Sequence, residues 1–106
     1  MDKEDAVINL FALAHPGRLQ IFKLLVLAGK GGMAAGKIAQ QINIPANTAS
    51  THLSILSGAG LLSAYRDGRS IIYRAQLDQI SHLIGFLLND CANGDAEVKA
   101  ALKAYF

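Results

Sequence analysis

Between Asn47 and Ser54 the chain reads Asn-Thr-Ala-Ser-Thr-His-Leu-Ser, so Asn47, Thr48, Ser50, Thr51, His52 and Ser54 crowd short polar side chains together with no acid among them. Hydroxyls, an amide and an imidazole can reach phosphate oxygens and base edges in a DNA major groove. Lys37 precedes this segment, and Arg66 and Arg69 follow it on either side of Asp67-Gly68. That chemistry suits a polyanion. The same polar residues also serve as helix caps or solvated surface, and charged hairpin tips are often only protected sheet edges. The elements that hold them must therefore decide.

Other chemistries find less support. Cys91 is the single cysteine, which rules out an intrachain disulfide or a cysteine-based zinc cluster within one chain. It is either a small apolar residue or an effector or redox site, and a thiophilic ion such as As(III) would need more thiolates than one chain supplies. Asp78 and His82 stand four apart, the spacing of a helix-surface pair, and no zinc site is expected there. His15, next to Pro16, reads as a helix-junction residue, and His52 as a recognition or packing residue. No Ser/His/Asp set, Gly-rich phosphate loop or paired carboxylates form a catalytic arrangement, and no enzyme is expected.

The positioning elements follow from periodicity and punctuation. Residues 6–14 are apolar almost all round, which a helix on a monomer surface would not tolerate, so this helix must be covered on several sides. His15-Pro16-Gly17-Arg18 breaks it, and Pro16 suits the first turn of a second helix that ends at Gly29. A short helix over 36–42 puts Ile38, Ala39 and Ile42 on one face. Asn43-Ile44-Pro45 then turns the chain into a helix over 47–59, with Asn47 as its expected N-cap and Leu53 and Leu56 inward. Ala39 supplies the small residue that two crossing helices need and Asn43 a residue tolerant of left-handed geometry, the requirements of a helix-turn-helix. Strands over 61–66 and 69–75, joined at Asp67-Gly68, form a β-hairpin, and a helix over 78–90 is again too apolar for one buried stripe. Asn93-Gly94 ends it, and residues 95–106 read as a short amphipathic helix or a frayed tail.

Charge is segregated along this order. Residues 6–77 carry seven Lys or Arg against the lone acid Asp67, whereas each end of the chain is net negative. A basic middle is what a polyanion-binding surface requires. The length, 106 residues, is that of one domain, with 93–106 as a C-terminal extension. No apolar run approaches the roughly 20 residues of a membrane span and the N-terminus has no signal-type pattern, so a cytoplasmic location is expected.

Leu13-Ala14-His15-Pro16-Gly17-Arg18-Leu19, the segment Asn47 to Leu53, Ala59-Gly60-Leu61-Leu62 and Gly68-Arg69-Ser70-Ile71-Ile72-Tyr73 together resemble the ArsR/SmtB family of bacterial repressors. The resemblance runs from about Ala6 to Ala92. It implies a mainly α fold with a small β-hairpin, a winged helix-turn-helix that dimerises through its first and last helices. Ile8, Leu10, Phe11, Ile84, Leu87 and Leu88 are the apolar residues available for that homodimer interface. The resemblance further implies double-stranded operator DNA as partner and repression relieved by an effector. The cysteine pair of metal-sensing members is missing from residues 33–41, and their Asp-x-His pattern is missing from the last helix. A winged helix used only for protein interaction is the alternative.

Overall fold

The computed structural model describes residues 1–104; Tyr105 and Phe106, the end of the expected C-terminal extension, lie outside the described residues. Helix α1 spans Lys3–Leu13, three residues earlier than the apolar pattern predicts. The reason is a cap: the Asp2 carboxylate accepts from the Asp5 backbone N–H at 2.8 Å, and Glu4 and Asp5 lie in the first turn, where the helix dipole favours negative charge. Helix α2 (Pro16–Ala28) starts at the expected proline, with His15 Nδ1 accepting from the Gly17 N–H at 3.0 Å.

After α2 a 3₁₀ turn over Gly29–Gly31 leads to Gly32, at φ +68°. A Cβ on Gly32 would collide with the Tyr73 carbonyl oxygen, so only glycine lets the chain pass this close to the hairpin. The passage sets up a two-residue strand, β1 (Met33–Ala34), which local pattern does not reveal. Helices α3 (Ala35–Ile42) and α4 (Ala46–Gly58) follow. Asn43 between them is left-handed at φ 55°, and Ala39 is buried, as the helix-turn-helix reading requires. The α4 N-cap is Pro45 rather than Asn47, because the helix begins at Ala46 and Asn47 already lies inside it.

Strands β2 (Leu62–Asp67) and β3 (Ser70–Ala75) make the hairpin, and the sheet order is β1-β3-β2, antiparallel throughout. Asp67 pairs with Ser70, so the turn pair is Gly68-Arg69, one residue later than expected. Gly68 is at φ +63°, and a glycine in the first central position is what a two-residue turn with one positive φ demands. Helix α5 (Leu77–Phe86) passes into a π-helical turn over Leu87–Cys91, and α6 (Ala96–Lys103) follows. Asp95 caps α6, accepting from the Val98 N–H at 3.0 Å, which resolves residues 96–103 as helix.

The core is built from Ile21 and Leu25 of α2, Ile38 of α3, Leu53 and Leu56 of α4, and Leu61, all fully buried around Ala12 of α1. No single helix among the described residues is long and apolar enough to cross a membrane.

Two buried polar side chains tie α1 into this core. Asn9 donates from Nδ2 to the Asp5 carbonyl at 2.8 Å and to the Ala59 carbonyl, beyond the end of α4, at 3.3 Å. Arg18 donates from Nε to the Ala12 carbonyl at 2.6 Å and from Nη2 to the Phe11 carbonyl at 3.1 Å, so it caps the end of α1 from the start of α2. Arg18→Ala removes both donors and should cost about 1–3 kcal/mol in denaturant unfolding. A change within experimental error would mean that water replaces the guanidinium without loss.

Candidate nucleic-acid interface

Helix α4 is divided lengthwise. Ala49, His52, Leu53 and Leu56 are buried, whereas Asn47, Thr48, Ser50, Thr51 and Ser54 are exposed. The division follows from the i, i+3, i+4, i+7 spacing of the buried set, which places those residues on one side of a helix. Local bonds order part of the exposed side. The Asn47 carboxamide oxygen accepts from the Thr48 N–H at 3.0 Å, and Thr51 Oγ1 donates to the Asn47 carbonyl at 3.1 Å. Ser50 and Ser54 make no hydrogen bond of this kind among those described.

His52 is the correction. Expected among the exposed groove-facing residues, it is 92 % buried because its position falls in the inward stripe beside Ala49, Leu53 and Leu56. Its ring lies 4.6 Å, centroid to centroid, from that of His15 at the start of α2. A Cβ on Gly17 would stand 3.1 Å from His52 Nε2, so glycine there leaves room for the imidazole. His52 Nδ1 is buried with no hydrogen-bond partner. The residue joins α4 to the start of α2 and faces away from the exposed side of α4.

Lys37 is exposed on α3. On the hairpin, Arg66 is exposed near the end of β2 and Arg69 in the turn itself. Arg74, which the sequence analysis did not assign to binding, is also exposed. Its Nε donates to Ser63 Oγ at 3.1 Å, and its guanidinium lies 5.9 Å from the Tyr65 ring centroid. Its signal was a cation two residues after the Tyr65-facing stretch of β3, which only strand register makes meaningful.

Cys91 is exposed at the end of the π-helical turn. Asp78 and His82 are exposed on α5, and the described residues include no group of three or more His, Cys, Asp or Glu arranged to hold a metal ion. Ile8, Leu10 and Phe11 of α1 stand in solvent, Phe11 at 64 % exposure. Leu87 is exposed as well, and Ile84 and Leu88 are half-buried.

A helix-turn-helix followed directly by a β-hairpin with a cationic tip defines a winged helix-turn-helix. A family model described as a helix-turn-helix domain matches residues 13–63. The transcriptional repressor SdpR of Bacillus subtilis is 37 % identical over 92 residues, covering 85 % of this chain and 98 % of that protein. The structure of NolR from Sinorhizobium fredii is 34 % identical with a TM-score of 0.65, covering 81 % of this chain and 83 % of that one. The homodimeric winged helix-turn-helix DNA-binding domain of Mb0332 from Mycobacterium bovis, solved by NMR, is 30 % identical with a TM-score of 0.66, covering 88 % and 82 %. The chain belongs to the ArsR/SmtB family of winged helix-turn-helix transcriptional regulators. Relatives are named as repressors or transcriptional regulators, not as enzymes.

Burial, with the His15 imidazole and the Arg18 guanidinium nearby, holds the His52 imidazole below its ordinary value of 6.5. The folded chain thus binds fewer protons at His52 than the unfolded chain does. The stability this contributes is complete above the ordinary histidine value and is lost as pH falls through it toward the lowered one. Melting temperature should therefore decline as pH drops below about 6.5, and His52→Gln should flatten that decline. An equally steep decline in His52→Gln would assign the acid sensitivity to other groups.

Proposed function

We propose that this protein is a cytoplasmic, homodimeric repressor that inserts α4 into the major groove of operator DNA and grips the flanking backbone with its wing. The observation that carries the reading is the acid-free exposed side of α4, preceded in the chain by the exposed Lys37 of α3 and followed by the exposed Arg66 and Arg69 of the hairpin. Asn47, Thr48, Ser50, Thr51 and Ser54 face the groove, where short side chains approach base edges and phosphates closely. Arg66 and Arg69 contact phosphates or the adjacent minor groove. His52 acts behind this surface, setting the seat of α4 on α2.

Dimerisation is the second half of the proposal. The exposed apolar side chains Val7, Ile8, Leu10 and Phe11 on a single helix form a patch that monomers rarely leave in water. Covering it with the same helix of a second copy, together with α5, gives a two-fold arrangement with two recognition helices, which matches an operator of two half-sites. The homodimeric state of the Mb0332 domain supports this. The effector is unassigned. One chain offers a thiophilic ion such as As(III) the single thiolate of Cys91, so a site for such an ion would need ligands from both chains.

Fluorescence anisotropy with DNA from the protein's own upstream region tests the groove and wing separately. Ser50→Ala and Thr51→Ala should each weaken operator binding by about 1–3 kcal/mol while random-sequence DNA is affected less. Arg66→Ala and Arg69→Ala should weaken binding to every sequence and lower the log–log salt slope by about 0.9 per lost phosphate contact. Binding to a protein partner that is insensitive to salt, with no affinity for DNA, would favour a protein-interaction module instead.

Sedimentation equilibrium tests the dimer. No folded monomer should be present at micromolar concentration, because the apolar face of α1 would be left in water. A stable monomer there would contradict recognition of two half-sites.

A further inference from the structure

Helix α4 carries one titratable side chain, His52, and groove contact leaves it unused. Its imidazole is buried in the same inward stripe as Ala49, Leu53 and Leu56, and its Nδ1 meets no hydrogen-bond partner. The surroundings offer it no counter-charge. The two groups that act on it, His15 and Arg18, stand at the start of α2 and bear positive charge or acquire it in acid. Arg18 is itself buried and held by the Ala12 and Phe11 carbonyls, so it cannot swing aside. The rest of α2 adds only the exposed cation Lys23 and α3 only Lys37; α1 keeps Lys3, Glu4 and Asp5 in its exposed first turn, and β2 carries Arg66 and Asp67 at its hairpin end. From residue 6 to residue 66 the sequence contains no Asp or Glu.

We propose that His52 is an acid switch for operator binding: protonating its imidazole unseats α4 from α2 and releases the DNA. The switch rests on the operator-binding reading above and makes the proton an effector of that site. An imidazolium has two N–H donors, and both need acceptors. Nδ1 has none, and Nε2 faces Gly17, where even a Cβ would stand 3.1 Å away, with the His15 ring 4.6 Å from that of His52. A buried charge without a partner is costly, and water reaches this one only if the inward side of α4 lifts from α2. That side also carries Ala49, Leu53 and Leu56, so lifting it turns Ser50, Thr51 and Ser54 out of register with a groove.

Proton and operator then compete for the same chain. By reciprocity, if acid weakens operator binding, bound operator must make His52 harder to protonate. Operator affinity is complete above the ordinary histidine range and falls as pH drops through it, and a dimer carries two such groups. Charge alone predicts the reverse: protonating the exposed His15 and His82 adds positive charge and should tighten binding to any DNA. The sign of the pH dependence therefore separates the switch from general electrostatics.

Fluorescence anisotropy with the upstream DNA, at constant ionic strength from about pH 8 to about pH 5.5, tests the switch over the range in which circular dichroism shows the fold intact. The operator Kd of the parent should rise about tenfold across that range while binding to random-sequence DNA does not weaken. His52→Gln, which cannot acquire the charge, should hold its operator Kd nearly constant. Imidazole NMR of the parent gives a readout that needs no variant: His52 should titrate at lower pH in the operator complex than in the free protein. Operator binding that is unchanged or tighter in acid would overturn the switch, as would an equal loss in His52→Gln or a His52 titration that the operator leaves in place or moves upward. Each of those results leaves operator binding at about pH 8 intact, whereas its absence there would instead remove the reading on which the switch rests.

Discussion

Helix α4 is gripped from one side by α1, α2, α3 and β2 together, and this one-sided grip leaves Ser50, Thr51 and Ser54 in water. Leu53 and Leu56 are fully buried at the centre of the grip, Ala49 allows close approach to its neighbours, and His52 fills the space against His15 and Gly17. Burying two leucines is worth several kcal/mol, of order 1.5–3 each, far more than any exposed polar contact on the other side contributes to folding. The outer side of α4 is thus free to be chosen for binding. A polar residue can change there without loosening the helix.

The same helix is tied at its far end. The Asn9 carboxamide reaches the Ala59 carbonyl, and the Leu61 N–H donates to the Leu56 carbonyl at 3.0 Å, so α1 and the entry to β2 converge on the last turn of α4. On α1, Ala6, Asn9 and Ala12 face inward while Val7, Ile8 and Phe11 face solvent. One helix therefore joins an apolar outer surface to the recognition helix across a single helical diameter. Any displacement of α1 must either break the Asn9 bond or carry the end of α4 with it.

Much of this was legible because it is local. The left-handed turn needs a residue such as Asn43, the helix crossing needs Ala39, and α2 begins where Pro16 costs no hydrogen bond. The differences arise where a distant partner or a competing cap decides. β1 is only two residues long and exists because Gly32 lets Met33 and Ala34 reach Tyr73 and Ile72, some 40 residues away. The apolar pattern starts the first helix at residue 6, yet the Asp2 cap extends it back to Lys3 and takes the acidic Glu4 and Asp5 into its first turn. The π-helical turn at Leu87–Cys91 has no local signature. His52 was within reach, since counting helical positions from Leu53 and Leu56 already places it inward. The run of polar neighbours from Asn47 to Ser54 obscured that spacing.

Amide NMR of isotope-labelled protein titrated with upstream DNA tests, residue by residue, whether the outer side of α4 and the hairpin tip meet DNA as one surface. The largest shift changes should fall at residues 47–54 and 66–69, with the buried core of α2 around Ile21 and Leu25 nearly silent. Changes concentrated on α1 and α6, with residues 47–54 unmoved, would contradict it.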